Sequence, residues 1–242
     1  MDLRITEDTL FNGRLHCLQH ADGYRFSVDA VLLAHFVEPR PAATILDLGA
    51  GCGVVSLILC YRHPGARITA LELQPQLVEL IRENINLNSL QNSLSLIEGD
   101  LRRMKALFAA ETFDWVVANP PYGRLAAGRI NPFDEQAAAR HEINASLADV
   151  VAAIGHVLKN RGRAALVYPA SRIAVLLATL KNARLEPKRL QIVHSYPEGD
   201  GKLALVEVVK NGGEEMAILP PFFIYEKPSG PYSPAMRKLY EP

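Results

Sequence analysis

Two periodicities alternate along this chain. Short, mostly apolar runs at 44–48, 67–72, 94–97, 113–118, 162–168 and 189–195 are bounded by turn formers and read as strands. Between them, residues 54–62, 75–87, 146–158 and 171–182 carry apolar positions at helical spacing, and a shorter helix is expected near 101–108. Upstream, residues 9–20 read as a hairpin turning at Asn12-Gly13. Ser27 reads as the N-cap of a helix over 28–37 that Pro39 and Pro41 end. Downstream, 203–209 and 216–225 read as a closing antiparallel pair joined across Asn211-Gly212-Gly213. Residues 228–242 contain four prolines and read as surface. Residues 119–143 are polar and without period, and long loops of that kind are usually functional or mobile.

Alternating strands and helices predict an α/β fold: a Rossmann-like, doubly wound, seven-stranded sheet, mostly parallel with one C-terminal antiparallel strand. No linker, repeat or low-complexity tract divides the chain, so one domain is expected over 1–242. Its parts would be an N-terminal hairpin and helix (1–42), a core (43–226) and a C-terminal surface segment (227–242).

Two segments are poor choices for stability alone. The first is Ala118-Asn119-Pro120-Pro121-Tyr122 at the end of the run over 113–118. Its prolines cannot donate to a sheet ladder. The Asn119 amide oxygen and the Pro120 carbonyl form instead a rigid pair of acceptors, with the flat face of Tyr122 beside them. A pair of acceptors suits a planar amino group with two N–H donors. The implied chemistry is methyl transfer to a nitrogen whose lone pair is conjugated.

The second segment is Asp47-Leu48-Gly49-Ala50-Gly51-Cys52-Gly53, between an expected strand and an expected helix. Residues 68–72 then form a second strand ending in Glu72, where a carboxylate can accept both hydroxyls of a ribose. The dinucleotide fingerprint requires glycine at its sixth place, which here is Val54, and the third glycine falls one residue early at Gly53. Asp47 also disfavours a neighbouring pyrophosphate. A cationic sulfonium carrying an amino acid fits the turn better.

These motifs, with Gly99-Asp100, resemble the ordered motifs of class I S-adenosylmethionine-dependent amino-methyltransferases. Three further segments, Tyr24–Leu33, Ala139-Arg140-His141-Glu142 and Leu219-Pro220-Pro221-Phe222-Phe223-Ile224-Tyr225, resemble the bacterial family that methylates the adenine beside the anticodon of a valine tRNA. The resemblance runs from about residue 10 to the C-terminus. It implies S-adenosylmethionine as cofactor, S-adenosylhomocysteine as product, no metal, and tRNA as partner.

On this reading Gly49, Ala50, Gly51 and Gly53 bring backbone N–H groups to the cofactor at a helix N-terminus. Asp47 lies under the cofactor or caps the turn, two roles that are compatible. Glu72, followed by Leu73, takes the ribose. Asp100 accepts from the cofactor's adenine amino group or caps the helix at 101, with Leu101 packing on the ring. The resemblance implies that Asp29 closes over the cofactor; alone, it reads as a first-turn carboxylate favoured by the helix dipole. Asn119 and Pro120 hold the target amino group, and Tyr122 stacks on a base taken out of its stack. Arg124, Arg129, Asn131, Arg140 and His141 are candidate substrate contacts, each of which also reads as part of a solvated loop.

Composition sharpens this little. The 242 residues carry no net charge, which is not the footprint of a general nucleic-acid binder. The balance is uneven: residues 161–242 hold twelve Lys/Arg against eight Asp/Glu, and residues 1–160 hold fourteen against eighteen. That allows a phosphate-facing edge on the C-terminal half, with Arg102, Arg103 and Lys105 added from the front. Cys17, Cys52 and Cys60 show neither disulfide nor metal spacing. There is no membrane-length apolar run and no signal-peptide pattern, so a cytoplasmic location is expected, with no obligate protein partner evident. The competing acceptors are a protein glutamine amide, which the same motif serves, and rRNA or DNA adenine. Only 48 residues precede Gly49, and they lack the long helical segment of release-factor-modifying enzymes. A non-catalytic binding module and a nicotinamide oxidoreductase are disfavoured by the intact Asp47, Glu72, Asn119 set and by Val54.

Overall fold

The computed structural model describes residues 4–21, 28–120 and 145–241. The hairpin is β1 (Ile5–Leu10) and β2 (Leu15–His20), followed by α1 (Val28–Phe36). The body continues through β3 (Thr44–Leu48), α2 (Val54–Arg62), β4 (Arg67–Glu72), α3 (Pro75–Leu87) and β5 (Leu94–Glu98). A single 3-10 turn (Leu101–Arg103) leads into α4 (Met104–Leu107) and β6 (Phe113–Ala118). Then come α5 (Leu147–Val157), β7 (Leu158–Pro169), α6 (Ile173–Asn182), β8 (Leu185–His194) and β9 (Gly201–Lys210). The last elements are β10 (Ala217–Ile218), β11 (Phe222–Phe223) and α7 (Pro234–Lys238).

The main sheet has the order β10-β8-β9-β7-β6-β3-β4-β5, with β11 also on β8. Among its seven long strands only β9 is antiparallel, inserted between β7 and β8. The central strands are buried on both faces, which explains their unbroken apolar character. Ile45, Trp115, Val117, Ala165 and Val167 face the layer of α1, α2 and α3. Their neighbours Leu46, Val116, Ala164 and Leu166 face α5 and α6. The helical layer therefore changes side between the β3–β4 half and the β6–β7 half. A crevice opens at such a switch point, at the carboxyl ends of the strands.

The doubly wound sheet agrees with the sequence pattern, with three differences. The closing pair is not antiparallel: β10 and β11 each pair with β8 in parallel. β9 already has β7 on one edge and β8 on the other, so the chain beyond Lys210 can only reach the outer edge of β8. The hairpin partner of β9 is β8, which begins at Leu185 and passes through Pro187, where the register shifts. The C-terminal segment is not all surface: Met236 is fully buried, and Tyr232 and Tyr240 pack against the core.

The hairpin starts at Ile5 rather than near residue 9 and turns through Phe11, Asn12 and Gly13, all at positive φ. Two asparagines one turn apart, Asn84 on α3 and Asn88 at its C-cap, pin it. Asn84 accepts from Leu18 N (2.6 Å) and donates to Leu18 O (3.0 Å), and Asn88 accepts from His16 N (2.9 Å) and donates to His16 O (2.7 Å). The helix thus satisfies the free edge of β2 much as another strand would.

Candidate active site

The glycine-rich turn is held open by backbone geometry. Gly49, Gly51 and Gly53 have φ of 75°, 61° and 86°, a region that costs a side-chain-bearing residue energy. Gly49 N and Ala50 N both donate to Leu71 O, at 2.9 and 3.0 Å, tying the turn to the end of β4. A Cβ on Gly49 or Gly51 would meet nothing within 4 Å, so the space before the turn is clear for a ligand. Gly53 differs. A Cβ there would approach Ile81 at 3.2 Å, so this glycine also lets α2 and α3 pack.

Two buried carboxylates brace the turn. Asp47 Oδ2 accepts from Ser56 N (3.1 Å) and Ser56 Oγ (2.7 Å), clamping the first turn of α2. Glu72 Oε2 accepts from Gly51 N (2.8 Å), while Oε1 accepts from Leu73 N and Gln74 N, each at 2.9 Å. Burial raises the Asp47 pKa from 3.8 to about 6, against the Ser56 hydrogen bonds that favour the anion, and the nearby Glu72 charge raises it further. Two carboxylates beside a helix N-terminus repel a pyrophosphate and suit a ligand that carries positive charge.

Register brings the remaining groups to the same level. Leu48 pairs with Leu71 on one side and with Ala118 on the other, so Gly49, Glu72 and Asn119 each follow one residue later at adjacent strand ends. Asn119 is half-buried and Pro120 buried. Asp100 follows β5 and caps the 3-10 turn through Arg102 N (2.8 Å). It also pairs with the Arg102 guanidinium (2.6 Å), which lowers its pKa. The capping role is thus present in the structure, and Leu101 packs half-buried against the core behind it.

Asp29 is in the first turn of α1. Arg62 at the C-terminal end of α2 donates to Ala34 O (2.6 Å) near the C-terminal end of α1. The C-terminal ends of the two helices therefore meet. Ser27, Tyr122, Arg124, Arg129, Asn131, Arg140 and His141 lie outside the described residues.

Two contributors were not anticipated from sequence. Ser56 is fully buried, with Asp47 as its acceptor. Asn84 is fully buried and donates to Cys52 O (2.9 Å), so the side chain that pins the hairpin also fixes the glycine turn. The signal for Asn84 was present: an amide in the row Val78, Ile81, Ile85, where the helix otherwise turns apolar residues inward.

Residues 27–169 match the family described as the methyltransferase small domain. A protein of Shewanella loihica named tRNA1(Val) (adenine(37)-N6)-methyltransferase is 30% identical over 230 residues, spanning 93% of this chain and 91% of its own length. A protein of the same name from Porphyromonas gingivalis is 29% identical over 227 residues, spanning 90% and 88%. Among solved structures, a predicted O-methyltransferase from Agrobacterium tumefaciens superimposes with a TM-score of 0.72 at 23% identity, covering 88% of this chain and 95% of that one. P. horikoshii TYW2, solved in complex with MeSAdo, superimposes with a TM-score of 0.59 at 16% identity, covering 86% and 72%. These two likenesses establish the fold.

Proposed function

The chain belongs to the methyltransferase small domain family, and we propose that it methylates the exocyclic N6 amino group of an adenine in tRNA, near the anticodon, using S-adenosylmethionine. The observation that carries the reading is the carboxyl edge of the sheet. There an open, positive-φ glycine turn is braced by buried Asp47 and Glu72, and Asn119 ends the adjacent strand. The relatives that span about nine-tenths of the chain and bear the tRNA adenine name support the acceptor.

The residues present fit the cofactor. Its sulfonium and ammonium are cations, and the turn offers carboxylates rather than the cationic surroundings that a pyrophosphate needs. When bound, it supplies an electrophilic methyl group. Backbone N–H groups of Gly49, Ala50, Gly51 and Gly53 would receive its carboxylate, and Asp47 its amino group, directly or through water. Glu72 would take the ribose hydroxyls with lone pairs not already committed to Gly51, Leu73 and Gln74. Leu73, Asp100 and Leu101 would flank the adenine, and Asp29 would close over the site.

In this reading Asn119 and Pro120 do the work on the acceptor. Their oxygens accept the two N–H bonds of the target amino group, orient its lone pair and increase its negative character. No strong base is needed, because the methylated nitrogen is acidic and releases its proton readily. Tyr122 would stack on the flipped base, and Arg124, Arg129, Asn131, Arg140 and His141 would contact the RNA around it.

The test is methyl transfer from labelled S-adenosylmethionine into tRNA that lacks the modification, followed by nucleoside analysis. Label in N6-methyladenosine, falling by about 10²–10³ in kcat for Asn119→Ala, supports the reading. No label in RNA while the cofactor still binds would overturn the tRNA acceptor and direct the search to a protein glutamine.

A further inference from the structure

A cleft of about 780 Å³ lies away from the carboxyl edge. It opens at the amino edge of the same sheet, beneath the starts of β3, β6 and β7. Six cations line it: Arg40, Lys159, Arg161, Arg163, Lys188 and Arg189. Glu38, Asp114 and Glu207 are its three carboxylates. Asp114 is committed to Lys159 (2.8 Å) and to Thr44 (2.7 Å). Glu207, fully buried in the floor, lies between Arg163 and Arg189, the latter at 2.8 Å.

Two of the remaining cations have a different kind of partner. Arg161 donates to Asn211 O (2.9 Å) and Lys188 to Gly213 O (3.1 Å), both neutral carbonyls. No carboxylate is within ion-pair distance of Arg40, Arg161 or Lys188 among the described residues. Arg161 and Lys188 are therefore held in position by groups that do not cancel their charge, and Arg40 is exposed. The wall that carries Arg161 is also fixed. Its φ is 63°, Asn211 donates to the Asn160 side chain (3.0 Å), and Lys210 donates to Leu158 O (2.8 Å). Arg189 Cζ lies over the Phe36 ring, 4.6 Å from its centroid. Cations already fixed in place lose little entropy when an anion arrives.

We propose that this cleft binds phosphate groups, at a site separate from the cofactor turn. Guanidinium forks and an ammonium at fixed spacing match phosphate oxygens, and the surplus charge sets the sign. No residue of the glycine turn lines this cleft, and β6 runs from Asp114 and Trp115 at the cleft to Ala118 at the carboxyl edge, roughly 15 Å at about 3.3 Å per residue. A phosphate here is therefore not part of the cofactor. Two sources share the chemistry: a phosphodiester of bound RNA, which rests on the proposed tRNA reading, and the phosphate chain of a free nucleotide.

The test is calorimetric titration of the full chain with pyrophosphate, for wild type and for the triple variant Arg40→Gln/Arg161→Gln/Lys188→Gln. These side chains are exposed or half-exposed and take no part in the Glu207 pair, and S-adenosylhomocysteine affinity checks that the fold is intact. Binding by wild type, weakened at least tenfold in the variant with S-adenosylhomocysteine affinity unchanged, is the expected result. Equal binding by both chains, or none by either, overturns the site. If RNA is the source, pyrophosphate competes with tRNA and the variant raises the KM for tRNA. If a nucleotide is the source, the variant keeps the tRNA KM and loses nucleotide binding. Failure of methyl transfer to tRNA would leave the pyrophosphate result standing, so the two readings fail separately.

Discussion

The two ends of the sheet carry opposite chemistry on the same strands. At the carboxyl edge, β3, β4 and β6 end in positive-φ glycines, two buried carboxylates and an asparagine. At the amino edge, Ala43 before β3, Asp114 in β6 and Arg163 in β7 border a cleft with twice as many cations as carboxylates. The difference teaches why a chain with no net charge can still meet a cationic cofactor and a polyanion. Charge is sorted by strand end, and a whole-chain sum hides it. The sequence-level asymmetry pointed the same way but grouped Arg102, Arg103 and Lys105 with the C-terminal cations. The fold separates them, because residues 101–105 follow the carboxyl end of β5 whereas Arg161, Arg163, Lys188 and Arg189 line the opposite edge.

The strongest way to disturb one edge without the other is Asn84→Ala. It leaves Leu18 N, Leu18 O and Cys52 O without their partner. The expected loss is about 3 kcal/mol by urea unfolding, with weaker S-adenosylhomocysteine binding and unchanged pyrophosphate binding. Equal damage to both sites would mean that the edges are not independent.

Asp47 gives a pH signature next in size. Its pKa is raised from 3.8 to about 6 by burial, so the native state holds this proton more tightly than the unfolded chain. Its contribution is therefore most favourable below about pH 4 and is lost as pH rises through about 6, by about 3 kcal/mol at most. The stability of wild type relative to Asp47→Asn should fall across that window, measured by urea midpoints at several pH values. A flat difference would show that Asp47 is not held in a low-dielectric site.

At the amino edge, Glu207→Ala leaves two guanidiniums facing each other. Arg163 is half-exposed and Arg189 less so, so solvent screens much of the repulsion and the expected loss is about 2 kcal/mol. Pyrophosphate should bind more tightly to this variant, because an anion is removed from the floor. Gly53→Ala should be the mildest, costing about 1 kcal/mol through its φ of 86° and the Ile81 contact, with cofactor affinity nearly retained.

The body of the fold was legible because doubly covered strands and amphipathic helices leave different periods. β3, β4, α2, α3 and β6 have the bounds their patterns predict. The C-terminal pairing was not legible, because the pattern of β9 says only that it is buried on both faces. Pairing is decided by which edges are free, and Asn211-Gly212-Gly213 reads as a hairpin turn whatever its neighbours do. Pro187 hid the first half of β8 because the ladder accommodates it with a register shift. For the candidate site, the Asp47, Gly49, Glu72 and Asn119 set was legible from motif spacing, since each ends a strand. Ser56 and Asn84 were not, because their role depends on which buried polar group faces them across the fold. The amino-edge cleft was invisible for the same reason: it gathers residues 38, 40–43, 114–115, 159–163, 188–189, 207, 209 and 212–213, which share no motif.

The most direct test of the account is one titration series with S-adenosylhomocysteine against wild type, Glu72→Gln and the Arg40/Arg161/Lys188 triple variant. The account predicts binding by wild type and by the triple variant with equal affinity, and a loss of about tenfold or more for Glu72→Gln, which removes the charged acceptor at the carboxyl edge. Failure of wild type to bind, or binding that follows the amino-edge cations instead of Glu72, would contradict it.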